Sequence, residues 1–162
     1  MERAVQLAGY FAAHGIWCVA EGETLVPILA FQRGNGAQEF RRIEGHELQE
    51  AVAQGKEWLD SNPENVSCAV LVYDAFVPLP SGKTDCLMLE VRSYTSAPQS
   101  LSIVLPYRKA GKPGGFAVHR PKFVSSQEEQ GTVSDLGETF FRGVAQHEKG
   151  SVVWNGHLDE SK

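Results

Sequence analysis

The sequence predicts one α+β domain: a twisted, mostly antiparallel sheet of about six or seven strands, with three helices packed mainly on one face. Three observations lead there. Helical apolar spacing recurs near the N-terminus, before Asn62-Pro63 and near the C-terminus. Between these stretches lie β-branched apolar runs separated by short Gly, Asn, Pro and Ser turns, the spacing of hairpins. The chain has 162 residues, 42% apolar and 22% charged, which suits a single domain with a buried core.

Residues 2–14 read as a helix, with Ala4, Ala8, Phe11 and Ala12 on one face and Gly15 at its C-terminal cap. Ile16 to Ala20 read as a short buried strand and Leu25 to Arg33 as the next. Pro27 lacks an N–H, so it belongs at an edge or a bulge. Gly34-Asn35-Gly36 tolerates positive φ and predicts a hairpin returning through Gln38 to Ile43. Leu48, Val52, Gly55 and Leu59 share one face of a second helix, with Gly55 at its closest approach to the sheet. Asn62-Pro63 ends that helix. Val66 to Val77 is almost continuously apolar, as a central strand is, and turns back at Leu79 to Gly82 into Asp85 to Tyr94. Leu101 to Leu105 and Phe116 to Val124 form another pair around a Gly/Pro-rich linker. A third helix spans about Leu136 to His147, opened by a capping box at Asp135 and Glu138. Ser151 to Trp154 read as a last strand, with a polar tail from about residue 155.

Cys18, Cys68 and Cys86 are too few and too separated for a disulfide framework, and each sits in an apolar run. They read as buried free thiols, which suits the cytoplasm. No apolar run approaches the roughly 20 residues of a membrane span, and no signal peptide is visible. A pI near 5.5 argues against nucleic acid as a partner.

Charge is unevenly distributed. Arg92 to Gln127 contains no Asp or Glu and six of the fifteen cations, so it carries +6 while the rest of the chain carries −11. Such asymmetry points to an anionic partner or to an acidic face of the same molecule. Arg108, Lys109, Lys112, His119, Arg120 and Lys122 are the candidate binding residues, interleaved with Tyr107 and Phe116 around Gly111, Gly114 and Gly115. Cations and backbone N–H groups on such a loop suit a carboxylate or phosphate.

Motifs of catalysis are incomplete. Ser81-Gly82-Lys83-Thr84 resembles the end of a phosphate-binding loop, but Val77 stands where its first glycine belongs and a strand follows. Asp74 interrupts an apolar strand, where a charge is costly unless paired. One bulged residue in the returning strand would place Glu90 opposite it. Asp74, Glu90 and Arg92 then resemble the PD-(D/E)xK nucleases, in which two acids on adjacent strands hold a divalent metal. Here Arg92 replaces the lysine, and an arginine cannot serve as a base. The five histidines show no metal-binding spacing, and His119 stands out for its place in the basic strip.

Two functions follow as expectations. The first is a non-catalytic binding or interaction module that sets the basic loop against an acidic protein surface or another anionic ligand. The second is a metal-dependent, nuclease-like hydrolase using Asp74, Glu90 and Arg92. The first needs no cofactor and no metal. The apolar strand 66–77 further implies a covered second face, and hence a homodimer.

Overall fold

In a computed structural model, the structure describes residues 1–80, 82–95, 97–125 and 133–161. The chain runs α1 (Glu2–Val19), β1 (Ile28–Gln32), β2 (Gln38–Arg42), α2 (Leu48–Ser61), β3 (Cys68–Leu79), β4 (Gly82–Ser93), β5 (Gln99–Arg108), β6 (Ala117–Val118), β7 (Lys122–Ser125), α3 (Val133–Gln146) and α4 (Glu148–Gly156). The strands form one sheet in the order β2-β1-β3-β4-β5-β6, with β7 also pairing β5. Every strand pairing is antiparallel, so the α+β architecture is as the sequence predicts, with a fourth helix added.

Five local expectations are corrected. Ile16 to Ala20 is not a strand: α1 runs through Gly15 and ends at Val19. Ile16 and Val19 are buried while Trp17 between them is exposed, which is helical spacing. Gly15 is a contact point rather than a cap, since a Cβ there would lie 2.8 Å from Leu87 Cδ1. Ser151 to Trp154 belongs to α4, and Trp154 is buried against Phe140. Pro27 stands just before β1, which lies between two strands rather than at an edge; the Pro27 carbonyl accepts from Ile43 N–H at 2.8 Å. Asp135 sits inside the first turn of α3 rather than ahead of it.

The helices divide between the two faces of the sheet. On one face, α1 covers Ile28, Ala30, Val70, Val72, Leu87 and Leu89, and α3 and α4 pack on α1. The helix contacts here are backbone-close: a Cβ on Gly9 would lie 1.9 Å from the Phe140 carbonyl oxygen, and one on Gly143 would lie 2.0 Å from that of Gln6. On the other face, α2 packs Leu59, Val52 and Trp58 over Leu29, Phe31, Leu71 and Tyr73. The second helix therefore does not share the face of the other three. Beyond α2 that face is mixed, with Glu90, Arg92 and Ser102 beside Met88, Val104 and the exposed Val124. The second face is thus covered in part by the chain's own helix.

Candidate functional site

β3 is twelve residues long, and β1 pairs only with its Cys68–Val72 half. Past Val72 the strand continues beside α2, and a cavity of about 570 Å³ opens there. Leu48, Val52 and Ala53 of α2 and Tyr73, Ala75 and Phe76 of β3 form its apolar walls. Lys56, Asp74, Asp85 and Lys109 supply its charges. An apolar cavity of this size with a few convergent polar groups is the usual form of a ligand site.

The sheet register assembles the polar end. Asp74 pairs with Leu87 and Phe76 with Asp85, so both acids lie on the α1 side of the sheet with the Ala75–Cys86 rung between them, and they line the cavity where β1 no longer pairs with β3. Both are buried, Asp85 to 3% exposure. A buried carboxylate is tolerated only when charges and donors answer it. The Tyr107 hydroxyl donates to Asp74, lying 2.9 Å from Oδ1 and 3.0 Å from Oδ2. Lys112 Nζ lies 3.1 Å from Asp85 Oδ2 and Lys109 Nζ 3.5 Å from Oδ1. Burial raises the Asp74 carboxyl above the ordinary Asp range; the Tyr107 hydrogen bond and Lys109 oppose that shift, and Asp85 adds to it. Burial, then the Asp74 charge, also drives the Tyr107 phenol upward. Beside them the Cys86 thiol is pushed up to about 12 by burial and by both acids. The thiol and the phenol are thus held in their protonated forms.

The register also corrects the nuclease arrangement. Leu79 pairs with Gly82, and in that register Asp74 faces Leu87 rather than Glu90. Glu90 pairs with Leu71, and the alternation of side chains sends it to the opposite face from Asp74. There it accepts from Ser102 at 2.7 Å and from Tyr73 at 3.4 Å. Arg92 lies 3.9 Å from Glu90 and 3.8 Å from Asp60 of α2. Asp74, Glu90 and Arg92 do not share a site, and among the described residues no group of three or more His, Cys, Asp or Glu side chains could hold a metal ion.

The basic strip finds much of its counter-charge within the molecule. Arg108 donates from Nε to the Gly115 carbonyl at 2.7 Å and from Nη2 to that of Gly114 at 3.1 Å, and its Nη1 lies 3.4 Å from Asp159. Arg120 lies 3.3 Å from Glu160. His119 is buried, its Nδ1 2.9 Å from the Asp159 carbonyl oxygen. The segment after α4 reaches these residues because it docks on β6: Val118 N–H donates to His157 at 2.8 Å, and Asp159 N–H to Val118 at 2.9 Å. Lys122 is exposed on β7. Of the candidate binding residues, only Lys109 lines the cavity, with Lys112 beside it on Asp85.

Sequence reasoning passed over Lys56, Asp85 and Tyr107. Asp85 opens an apolar strand and looks like a turn residue. Tyr107 looks like one more aromatic in the basic strip. Only pairing between β3, β4 and β5 shows that both belong to Asp74. Cys18, Cys68 and Cys86 are free thiols, as expected; Cys68 and Cys86 are buried, and Cys18 is half-buried. Among the described residues no helix is long and apolar enough to cross a membrane. No family model matches the chain, and no curated protein or solved structure matches it either.

Proposed function

We propose that the protein is a non-catalytic binding module, and that it takes a small amphipathic anion in the cavity between α2 and β3. The ligand class is an apolar body bearing one carboxylate, sulfonate or phosphate. The observation that carries this reading is the excess of ammonium groups at an apolar cavity. Lys109 and Lys112 share the single carboxylate of Asp85. Lys56 lies over the Tyr73 ring, 5.5 Å from its centroid, and faces the same space. Asp74 is the second carboxylate here, so three ammonium groups face two acids. The apolar walls take the body of the ligand and the ammonium groups take its charge. A non-catalytic role is supported by the chemistry of the remaining groups: Tyr107 is committed to Asp74, and the Cys86 thiol resists ionisation.

Anilinonaphthalene sulfonate, an apolar aromatic anion, is the direct probe. Its fluorescence should rise saturably with the folded protein and weaken with salt, because charge contacts are screened over about 8 Å at 0.15 M. Replacing both Lys56 and Lys109 by Ser should weaken binding about tenfold or more, the loss of about 1.4 kcal/mol, while leaving the circular dichroism unchanged. Binding unaltered in that variant would refute the assignment.

A further inference from the structure

Two histidines separated by 133 positions meet where α3 gives way to α4. His147 caps α4, its Nδ1 accepting from the Gly150 backbone N–H at 2.8 Å. That bond sets the tautomer: Nδ1 carries no proton, so the ring hydrogen of neutral His147 is on Nε2. His147 Nε2 lies 3.0 Å from His14 Nδ1, so His147 donates and His14 accepts. The proton of neutral His14 is therefore on Nε2. This Nε2 is buried and has no hydrogen-bond partner among the described residues. The relay begins at a helix cap and ends in a donor that needs an acceptor.

The surroundings indicate which acceptor. The His14 ring lies 5.6 Å from Trp17 and 5.9 Å from Phe40, and Tyr10 lies 4.9 Å from His147, measured between centroids. Together they line a cavity of about 440 Å³, within the roughly 300–1,000 Å³ of small-molecule sites. Trp17 is 39% and Phe40 50% exposed, so two large rings are presented at its mouth. Lys149 also lines it, its Nζ 5.1 Å from the Trp17 centroid. Glu39 is the carboxylate of this cavity, and it is already paired with Arg33. Aromatic boxes commonly take cations. Here Lys149 already supplies the cation, and an N–H donor repels a second one.

We propose that this box is a second binding site, separate from the cavity under α2, for a planar aromatic carboxylate. The carboxylate accepts from His14 Nε2–H and pairs with Lys149, and the aromatic ring lies against Trp17 and Phe40. His14 is then a ligand-contacting residue. His147 is a positioning residue that holds the His14 proton on Nε2.

Benzoate is the probe, titrated by calorimetry into the full chain, with benzylamine as the cationic counterpart. Wild type should bind benzoate saturably and benzylamine more weakly. His14→Phe keeps a ring and removes the donor, and should weaken benzoate about tenfold or more. Lys149→Gln, an exposed change that leaves the fold intact, should weaken benzoate and flatten its salt dependence. If His14→Phe fails to fold, Lys149→Gln decides. The same titrations in the Lys56→Ser/Lys109→Ser variant should keep a benzoate site that still responds to His14→Phe and Lys149→Gln, which separates this site from the one under α2. No saturable benzoate binding, tighter binding of benzylamine, or wild-type affinity in a folded His14→Phe or in Lys149→Gln would overturn the proposal.

Discussion

On the α1 side of the sheet, Ala4, Ala8, Ala12 and Ala13 are buried with Leu7, Phe11 and Ile16, and glycines let α3 cross α1 at backbone distance. On the α2 side, Leu48 at the start of the helix remains 40% exposed, and a cavity of about 570 Å³ separates helix from strand. The difference lies in what touches what. Where backbone meets backbone, no side chain can move aside, and the contact is intolerant of added volume. Where side-chain ends meet, as Gly55 meets the Leu71 methyls, the contact can yield, and space for a ligand persists.

The largest expected effect tests the tight layer. In Gly143→Ala the new methyl would lie 2.0 Å from the Gln6 carbonyl oxygen and 2.9 Å from Tyr10 N. Neither atom belongs to a movable side chain, so α3 must lift from α1. We expect a loss of more than about 3 kcal/mol through overpacking. That corresponds to a fall in melting temperature of about 6–12 °C for a chain of this size. A melt within about 2 °C of wild type would show that the two helices do not cross there.

Gly55→Leu makes the matching change in the loose layer. A Cβ there would lie 2.6 Å from Leu71 Cδ1 and 3.0 Å from Ile43 Cδ1, both side-chain ends. The expected cost is smaller, about 1–3 kcal/mol. A loss equal to that of Gly143→Ala would erase the distinction between the faces, and the two denaturation curves measured side by side decide it.

The third effect is smaller and depends on pH. Tyr107→Phe removes the donor to Asp74 and should cost about 1–2 kcal/mol at neutral pH. Asp74 has a folded pKa above its ordinary value of 3.8 because it is buried, so the folded state holds this proton more tightly than the unfolded one. Its contribution to stability is therefore present in acid and is lost as pH rises through the folded value. Removing the hydroxyl raises that value further. The gap between variant and wild type should be widest at neutral pH and narrow as pH falls through the folded value. A gap independent of pH would mean that the Tyr107 hydroxyl does not serve the ionised carboxylate.

Several of these features were legible in advance. Gly55 was identifiable as a close approach from helical spacing alone, and the structure places it against Leu71. The turn chemistry of Gly34-Asn35-Gly36 marked a hairpin, and β1 and β2 pair across it. Asp74 was conspicuous as a charge in an apolar run, but its partner was assigned by the wrong register. A shift of one residue exchanges the faces of a strand, and nothing in residues 79–84 states where the turn must fall. Ile16 to Ala20 failed for a different reason: a short apolar run satisfies a buried strand and a buried helix equally. Of the histidines, His119 drew attention through its basic neighbours. His14 and His147 did not, since their relay depends on a contact across most of the chain.

By itself the sequence determined what depends on near neighbours: helical spacing, the residues that permit turns, and an acid-free stretch holding six cations. These are set by backbone sterics and composition, which act over a few residues. Only the tertiary structure decided how those charges are answered. Asp159 reaches Arg108 from 51 positions away, Asp85 reaches Lys112 from 27, and Tyr107 reaches Asp74 from 33. A charge pair acts through space and is indifferent to chain separation. Which cation meets which acid therefore depends on strand order and register, and those are settled by burial of the whole sheet rather than by any local motif.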